Sequence, residues 1–270
     1  MIVCLYVYIF YKLYRNIVLI KVDDHLMAST SKKSAASEPK VISKETIKRL
    51  LNDVKAISRS PLTENGIYYT HDDTDIMKGY AMIVGPEDTP YFGGFYFFKI
   101  SYPPDYPHNP PRVTYYTNGD NIRFNPNLYK CGKVCVSLLN TWRGEQWTSC
   151  QTISTMLLTL CTLLCKDPLL NEPGVSRDHT DFNNYTKIIE YKNIELAMVS
   201  MLNRKKGVYP EEFEMFYPFL KENFEKNKDK VIAFLEKRST IKEVVSTNMY
   251  SMTVETDYNK LLTNMKKIAV

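Results

Sequence analysis

Cys135 sits in a stretch, Phe124 to Leu139, that carries Pro126 and Gly132 and follows no helical or strand period. An irregular loop of this kind is expected to leave a thiol accessible, and loops inside compact domains commonly carry function. The thiol must reach its thiolate form from an ordinary pKa of about 8.5 to act as a nucleophile. Lys130 and Lys133 supply positive charge nearby if the fold brings them close. Asn127, earlier in the same loop, offers a neutral amide donor. A thiol beside an amide, with no evident imidazole, does not suit proteolysis, which needs a base. The histidines are His25, His71, His108 and His179, and none lies in this stretch. Thioester exchange needs less, because a thiolate is a good leaving group. Attack by an amine on such a thioester then needs a donor for the oxyanion. The competing expectations are structural: Cys135 as a buried small side chain, Asn127 as a turn former, and Glu172 further on as a solvated or capping acid.

The chain around this loop has 270 residues, 44% hydrophobic and 24% charged, which suits one enlarged domain, or one domain with an added helical lobe. A net charge of +5 is small, and no Lys/Arg block is long enough to track phosphates, so nucleic acid is not an expected partner. Six cysteines without a CxxC pair argue against a disulfide scaffold and a structural zinc. No metal or cofactor is expected, and the compartment is reducing, cytoplasmic or nuclear. The apolar run from Met1 stops at Tyr11, short of the ~20 residues a spanning helix needs, and Lys12 and Arg15 follow. Membrane anchoring by residues 1–20 is therefore the weaker reading. Met27-Ala28-Ser29-Thr30 reads as an ordinary start, which would make residues 1–26 an extension of the reading frame ahead of a polar linker.

The elements that must position the loop follow from pattern. Ser43 caps a helix whose apolar residues recur at Ile47, Leu50, Leu51, Val54 and Ile57. Short β-branched and aromatic runs at Ile67 to His71, Met77 to Val84, Phe95 to Tyr102 and Val113 to Thr117 predict four strands of an antiparallel meander. Five of the fourteen prolines fall between Tyr102 and Pro111, where a rigid turn between strands is favoured over a polyproline ligand. Helices are expected at Thr148 to Lys166, with Cys161 and Cys165 buried and inert, and at Asp181 to Leu202. A largely helical segment from Pro210 to Lys237 would be kinked or broken at Pro218. The fold class is α+β, with residues 1–42 an extension and linker, 43–202 the core domain and 203–270 an extra helical C-terminal extension.

Tyr91-Phe92-Gly93-Gly94-Phe95-Tyr96-Phe97, the Tyr102 to Val113 run, Asn125-Pro126-Asn127, Gly132-Lys133-Val134-Cys135, Trp147 and Asn171-Glu172-Pro173-Gly174 occur in this order. Together they resemble the core of the ubiquitin-conjugating enzymes over roughly Ser43 to Leu202. The insertion Asn140 to Trp147 is similar to the large subgroup that includes the Z-type enzyme and the catalytic domain of the giant inhibitor-of-apoptosis protein BRUCE. The resemblance implies that Cys135 accepts the C-terminus of ubiquitin, or a ubiquitin-like protein, as a thioester from an activating enzyme. It implies that Asn127 stabilises the oxyanion when a lysine attacks, or holds the active-site loop. Glu172 matches an acidic residue that orients or helps deprotonate that lysine. Lys48 and Arg49 fall where the first helix meets the activating enzyme. A non-catalytic ubiquitin-binding variant would lack the cysteine.

Departures from the family pattern are informative. The usual His-Pro-Asn is Asn125-Pro126-Asn127 here; the histidine is mainly structural, so activity is expected to survive. The hydrophobic residue that docks RING ligases is His108, and the proline after Trp-Ser is Ser149, which argues against ordinary RING docking. Cys131 is a second thiol close to Cys135, expected to be incidental although a disulfide could form on oxidation.

Overall fold

The computed structural model describes residues 42–268. The apolar segment 1–20, the candidate start at Met27 and the polar linker lie outside the described residues. Among the described residues no helix is long and apolar enough to cross a membrane.

Helix α1 spans Lys44–Arg59. The Ser43 hydroxyl accepts a hydrogen bond from the Thr46 amide, satisfying one free N–H of the first turn, and Glu45 and Arg59 complement the two ends of the dipole. Its buried stripe includes Leu50, Val54 and Ile57. Strands β1 (Ile67–His71), β2 (Lys78–Val84), β3 (Phe95–Ser101) and β4 (Arg112–Tyr115) form a four-stranded antiparallel sheet in sequential order. The register pairs Tyr80 with Lys99 and Phe98 with Tyr115. Strand β4 ends two residues earlier than its pattern suggests. Thr117 has left the ladder, and its hydroxyl there accepts from the Phe97 amide and donates to the Phe95 carbonyl.

Strand β3 does not alternate: Phe95, Tyr96, Phe97 and Phe98 are all fully buried. Continuous apolarity of this kind means cover on both faces of the sheet. On one face Tyr96 meets Tyr91 and Phe124 edge-on. On the other, Phe97 packs on Phe213 and Phe216, Tyr80 meets Phe213 edge-on, and Tyr68 lies 4.9 Å from Phe219. The segment after residue 203 is therefore the second layer over the sheet. Lys99 pairs with Glu212 at 2.6 Å at its margin.

Helix α2 spans Ile153–Thr162, shorter than the pattern suggested. Thr152 and Thr155 form a reciprocal capping box that sets its start. Cys161 and Cys165 are only half-buried rather than enclosed, and burial pushes both thiols above the ordinary value. Helix α3 (Phe182–Lys192) continues as a π-helical stretch, Asn193–Ser200. There the Asn193 side-chain Oδ1 accepts from the Tyr96 hydroxyl at 2.6 Å and its Nδ2 donates to the Phe92 carbonyl. A Cβ on Gly94 would stand 1.9 Å from that same oxygen, so only glycine fits.

The chain then runs through a 3₁₀ stretch, Glu211–Phe216, into α4 (Tyr217–Glu236). Pro218 lies in the first turn of α4, where a missing N–H is harmless, so it opens the helix instead of breaking it. The extension is not wholly helical. Strands β5 (Lys242–Thr247) and β6 (Met252–Asp257) form a hairpin before α5 (Tyr258–Lys266). Val245, Thr247, Met252, Val254 and Thr256 alternate inward with exposed neighbours, the period of a strand. The turn hides this signal, because Tyr250 (φ 61°) and Ser251 (φ 49°) take the left-handed conformation without a glycine.

His71 is buried under the sheet's edge. Its Nε2 lies 2.8 Å from the Ile76 carbonyl, which can only accept, so Nε2 carries the proton. Nδ1 then accepts from the Tyr69 hydroxyl at 2.6 Å. Burial pushes the imidazole down to about 4, against about 6.5 in an unfolded chain. The neutral ring's contribution is complete above the unfolded value and drains away as pH falls from about 6.5 toward 4. Urea unfolding should lose about 2 kcal/mol from this group between pH 7 and 5. The His71→Gln variant should show a flatter pH dependence over that interval.

Candidate active site

The loop from Phe124 to Leu139 has few ladder bonds, so its backbone is satisfied by specific partners. Asn125 is the hub. It is fully buried, and its side-chain amide donates to the Tyr91 hydroxyl at 2.9 Å and the Leu163 carbonyl at 2.7 Å. Its Oδ1 accepts from the Asn127 amide at 2.9 Å and the Asn171 side chain at 3.4 Å. Asn125, expected to play a structural part, is thus a buried structural junction.

Asn127 and Cys135 hold each other. The Cys135 amide donates to the Asn127 carbonyl at 2.9 Å. The Asn127 side-chain Nδ2 donates to the Cys135 carbonyl at 2.7 Å. The Oδ1 of Asn127 is buried without a hydrogen-bond partner. Turning the amide over would set Oδ1 against a carbonyl, so the orientation is determined.

The accessible thiol expected from the sequence is not what the fold presents. Cys135 is 2% exposed, whereas Cys131 in the same loop is exposed. The cause lies in the neighbours. Leu128 bridges to Val134, and both are buried, as is Val136. Thr141 from the insertion closes the other side: its hydroxyl accepts from the Val136 amide at 2.9 Å and lies 3.0 Å from the Val134 carbonyl. Gly144 packs against the Ser137 side chain. Residues 140–146 of the insertion are themselves exposed, so a solvated segment lies against the residues flanking Cys135.

Glu172 lies at the end of a 3₁₀ stretch, Pro168–Asn171, beside Asn171. Its carboxylate accepts a hydrogen bond from the Tyr250 hydroxyl in the β5–β6 turn. Arg123 is buried, donates to the Asn125 and Pro126 carbonyls, and lies over the rings of Tyr129 at 3.4 Å and Tyr250 at 5.0 Å. Lys130 reaches the Tyr250 carbonyl at 3.3 Å, and partial burial followed by the Arg123 charge holds its ammonium below the ordinary lysine value. Lys133 lies over the Tyr129 ring. Both lysines thus have contacts of their own in the loop.

The other expected residues separate. His108 and Ser149 are exposed neighbours, 3.5 Å apart. The proline-rich loop is tied down by Trp147, whose Nε1 donates to the Pro107 carbonyl at 2.7 Å, and by Thr46, which donates to the Pro104 carbonyl. Lys48 is exposed. Arg49 is committed internally: it pairs with Asp53 and donates to the Ser149 and Gln151 carbonyls at 2.6 Å each. Asp53 also accepts from the buried Tyr106 hydroxyl. Sequence reasoning missed Arg123, Thr141 and Tyr250. Tyr250 gave no signal, since its neighbour in the cleft is 78 positions away in the chain.

A helix ahead of a four-stranded meander, with a cysteine loop pinned to an Asn-Pro-Asn turn, is the architecture of one acyl-carrier class. The chain belongs to the ubiquitin-conjugating enzyme family, whose match covers residues 49–194. Within that family it is 39% identical over 181 residues to human ubiquitin-conjugating enzyme E2 Z, spanning 63% of this chain and 51% of that protein. The zebrafish (Danio rerio) E2 Z is 41% identical over 166 residues, covering 60% of this chain and 50% of the relative. Human dual E2 ubiquitin-conjugating enzyme/E3 ubiquitin-protein ligase BIRC6 is 37% identical over 191 residues, 66% of this chain but 4% of that protein. The matched region thus spans about half the length of the E2 Z relatives.

Replacing Asn125 by alanine leaves the buried Asn127 amide without its acceptor and takes one donor each from the Tyr91 hydroxyl and the Leu163 carbonyl. It should lower unfolding stability by at least about 2 kcal/mol in a denaturant titration.

Proposed function

We propose that this protein is a ubiquitin-conjugating transferase. Cys135 takes the acyl group of ubiquitin's C-terminus from the thioester of an activating enzyme, and that enzyme's thiolate leaves. A lysine amine of the substrate then attacks the carbonyl. The tetrahedral oxyanion collapses, an amide bond forms, and the Cys135 thiolate departs. The observation that carries this reading is the reciprocal pair between Asn127 and Cys135, set inside a core that belongs to this family. It fixes an amide donor beside the backbone of Cys135, the residue to which this reading assigns the thioester.

Asn127 serves twice in this reading. One proton of Nδ2 holds the Cys135 carbonyl, and the other meets the oxyanion. Glu172 orients the incoming ammonium and draws its charge. Loading requires the nearly covered sulfur to emerge, and the solvated insertion 140–146 is the border that gives way. Lys48 is an exposed charge of α1 that docks the activating enzyme in this reading. The exposed pair His108 and Ser149 forms a polar rather than apolar surface for any ligase. Residues 43–202 form the conjugating core and 203–270 its extension, acting in the cytoplasm or nucleus. Conjugation of another ubiquitin-like modifier is the alternative.

Incubation with ATP, a panel of activating enzymes and ubiquitin or its relatives should yield an adduct that reductant removes. Cys135→Ala should abolish it. Asn127→Ala should slow transfer to lysine by ~10²–10³ while loading stays nearly intact. Equal losses in both steps would assign Asn127 to loop holding alone.

A further inference from the structure

The β5–β6 turn enters the candidate active site from a part of the chain outside the matched family core. It is anchored there by several independent contacts. The Met249 amide donates to the Asp181 carboxylate at 2.8 Å. The Arg123 amide donates to the Met252 sulfur at 3.3 Å. Lys130 binds the Tyr250 carbonyl, and the Tyr250 ring lies against both Arg123 and Tyr185. Two successive residues, Tyr250 and Ser251, hold a left-handed backbone without glycine, a conformation that costs free energy and persists only where the surroundings impose it. What this arrangement delivers is one hydroxyl to one carboxylate: Tyr250 Oη donates to Glu172 Oε2.

We propose that Tyr250 is a positioning residue for lysine transfer, holding Glu172 in the orientation that receives the incoming amine. The proposal rests on the transferase reading above and extends it beyond the core. A carboxylate on a loop end has free rotation about its side-chain bonds. A hydroxyl bound to Oε2 removes that freedom and leaves Oε1 to face the substrate ammonium. Hydrogen bonds to charged groups are the stronger class, so the restraint is substantial. The phenol itself stays protonated, because burial and then the adjoining carboxylate push it well above its ordinary value. Tyr250 therefore acts as a fixed donor and does not exchange a proton with the substrate. The same turn connects back to the nucleophile's loop. Arg123, sandwiched between Tyr129 and Tyr250, binds the carbonyls of Asn125 and Pro126, and Asn125 holds both Asn127 and Asn171.

Tyr250→Phe keeps the ring and removes only the hydroxyl, so the turn and its packing on Arg123 survive. Three rates should be followed on the full chain: loading of ubiquitin onto Cys135, discharge of the thioester to free lysine, and discharge to hydroxylamine. Hydroxylamine is largely unprotonated at neutral pH and needs no carboxylate to receive an ammonium. Tyr250→Phe should slow discharge to lysine about tenfold, the loss of one hydrogen bond to a charged group. Loading and discharge to hydroxylamine should stay within about twofold of the parent, a difference at the level of a surface change. Glu172→Gln should give a lysine-specific defect of at least that size, and adding Tyr250→Phe to it should cause little further loss. An unchanged lysine rate in Tyr250→Phe would overturn the proposal. So would an equal fall in all three rates, which marks a merely structural role, or independent losses in the double variant. A parent protein that never loads any modifier would instead refute the transferase reading itself.

Discussion

Because the segment that carries Cys135 lies outside regular helix and strand, each of its polar backbone groups has to find an individual partner, and Asn125 ties the segment to the body of the domain. Its one side chain binds the body of the domain through Tyr91 and Leu163 and the loop through Asn127. Asn127 in turn closes a two-bond ring with Cys135. A buried amide with two donors and one strong acceptor is suited to this junction, since it joins donors and acceptors at once without carrying charge into the interior. The place needs a branched polar junction and not a titrating group.

The second constraint is the cover of the sheet on both faces. Helices of the core lie against Tyr96, and the segment after residue 203 lies against Phe97. That outer layer feeds a hairpin whose turn comes round to the cleft. The extension therefore belongs to the same folding unit as the site, through an aromatic interface at one end and the Glu172 contact at the other. The burial of Cys135 fits the same picture. A loop held by Asn127 and by Thr141 keeps Cys135 nearly covered.

Much of this was legible from residues alone, because short-range rules govern it. The strand runs were found to within two residues, since β-branched and aromatic clusters bounded by turn residues have few alternatives. Ser43 and its apolar stripe located α1 in the same way. Helix α2 was overextended because the apolar run from Thr148 to Lys166 exceeds what the Thr152 cap permits. The hairpin at residues 242–257 was missed because its turn has neither glycine nor Asn-Gly, and its left-handed residues are a tyrosine and a serine. Arg49 is expected where the first helix meets the activating enzyme, yet its fork binds two carbonyls about a hundred residues away, a match that exists only once α1 and the loop before α2 are side by side.

The order and spacing of Asn-Pro-Asn, the cysteine loop, the proline-rich turn and Asn-Glu-Pro-Gly were sufficient to determine which family's core this is, because those motifs are contiguous and each encodes its own local geometry. Long-range packing alone decided how the site is dressed: that Cys135 is covered, that the Asn127 side chain binds the Cys135 carbonyl, and that a tyrosine from the far end of the chain binds Glu172. Such contacts depend on where two distant backbones cross, and the free energy that selects the crossing is summed over the whole aromatic core rather than written at either residue.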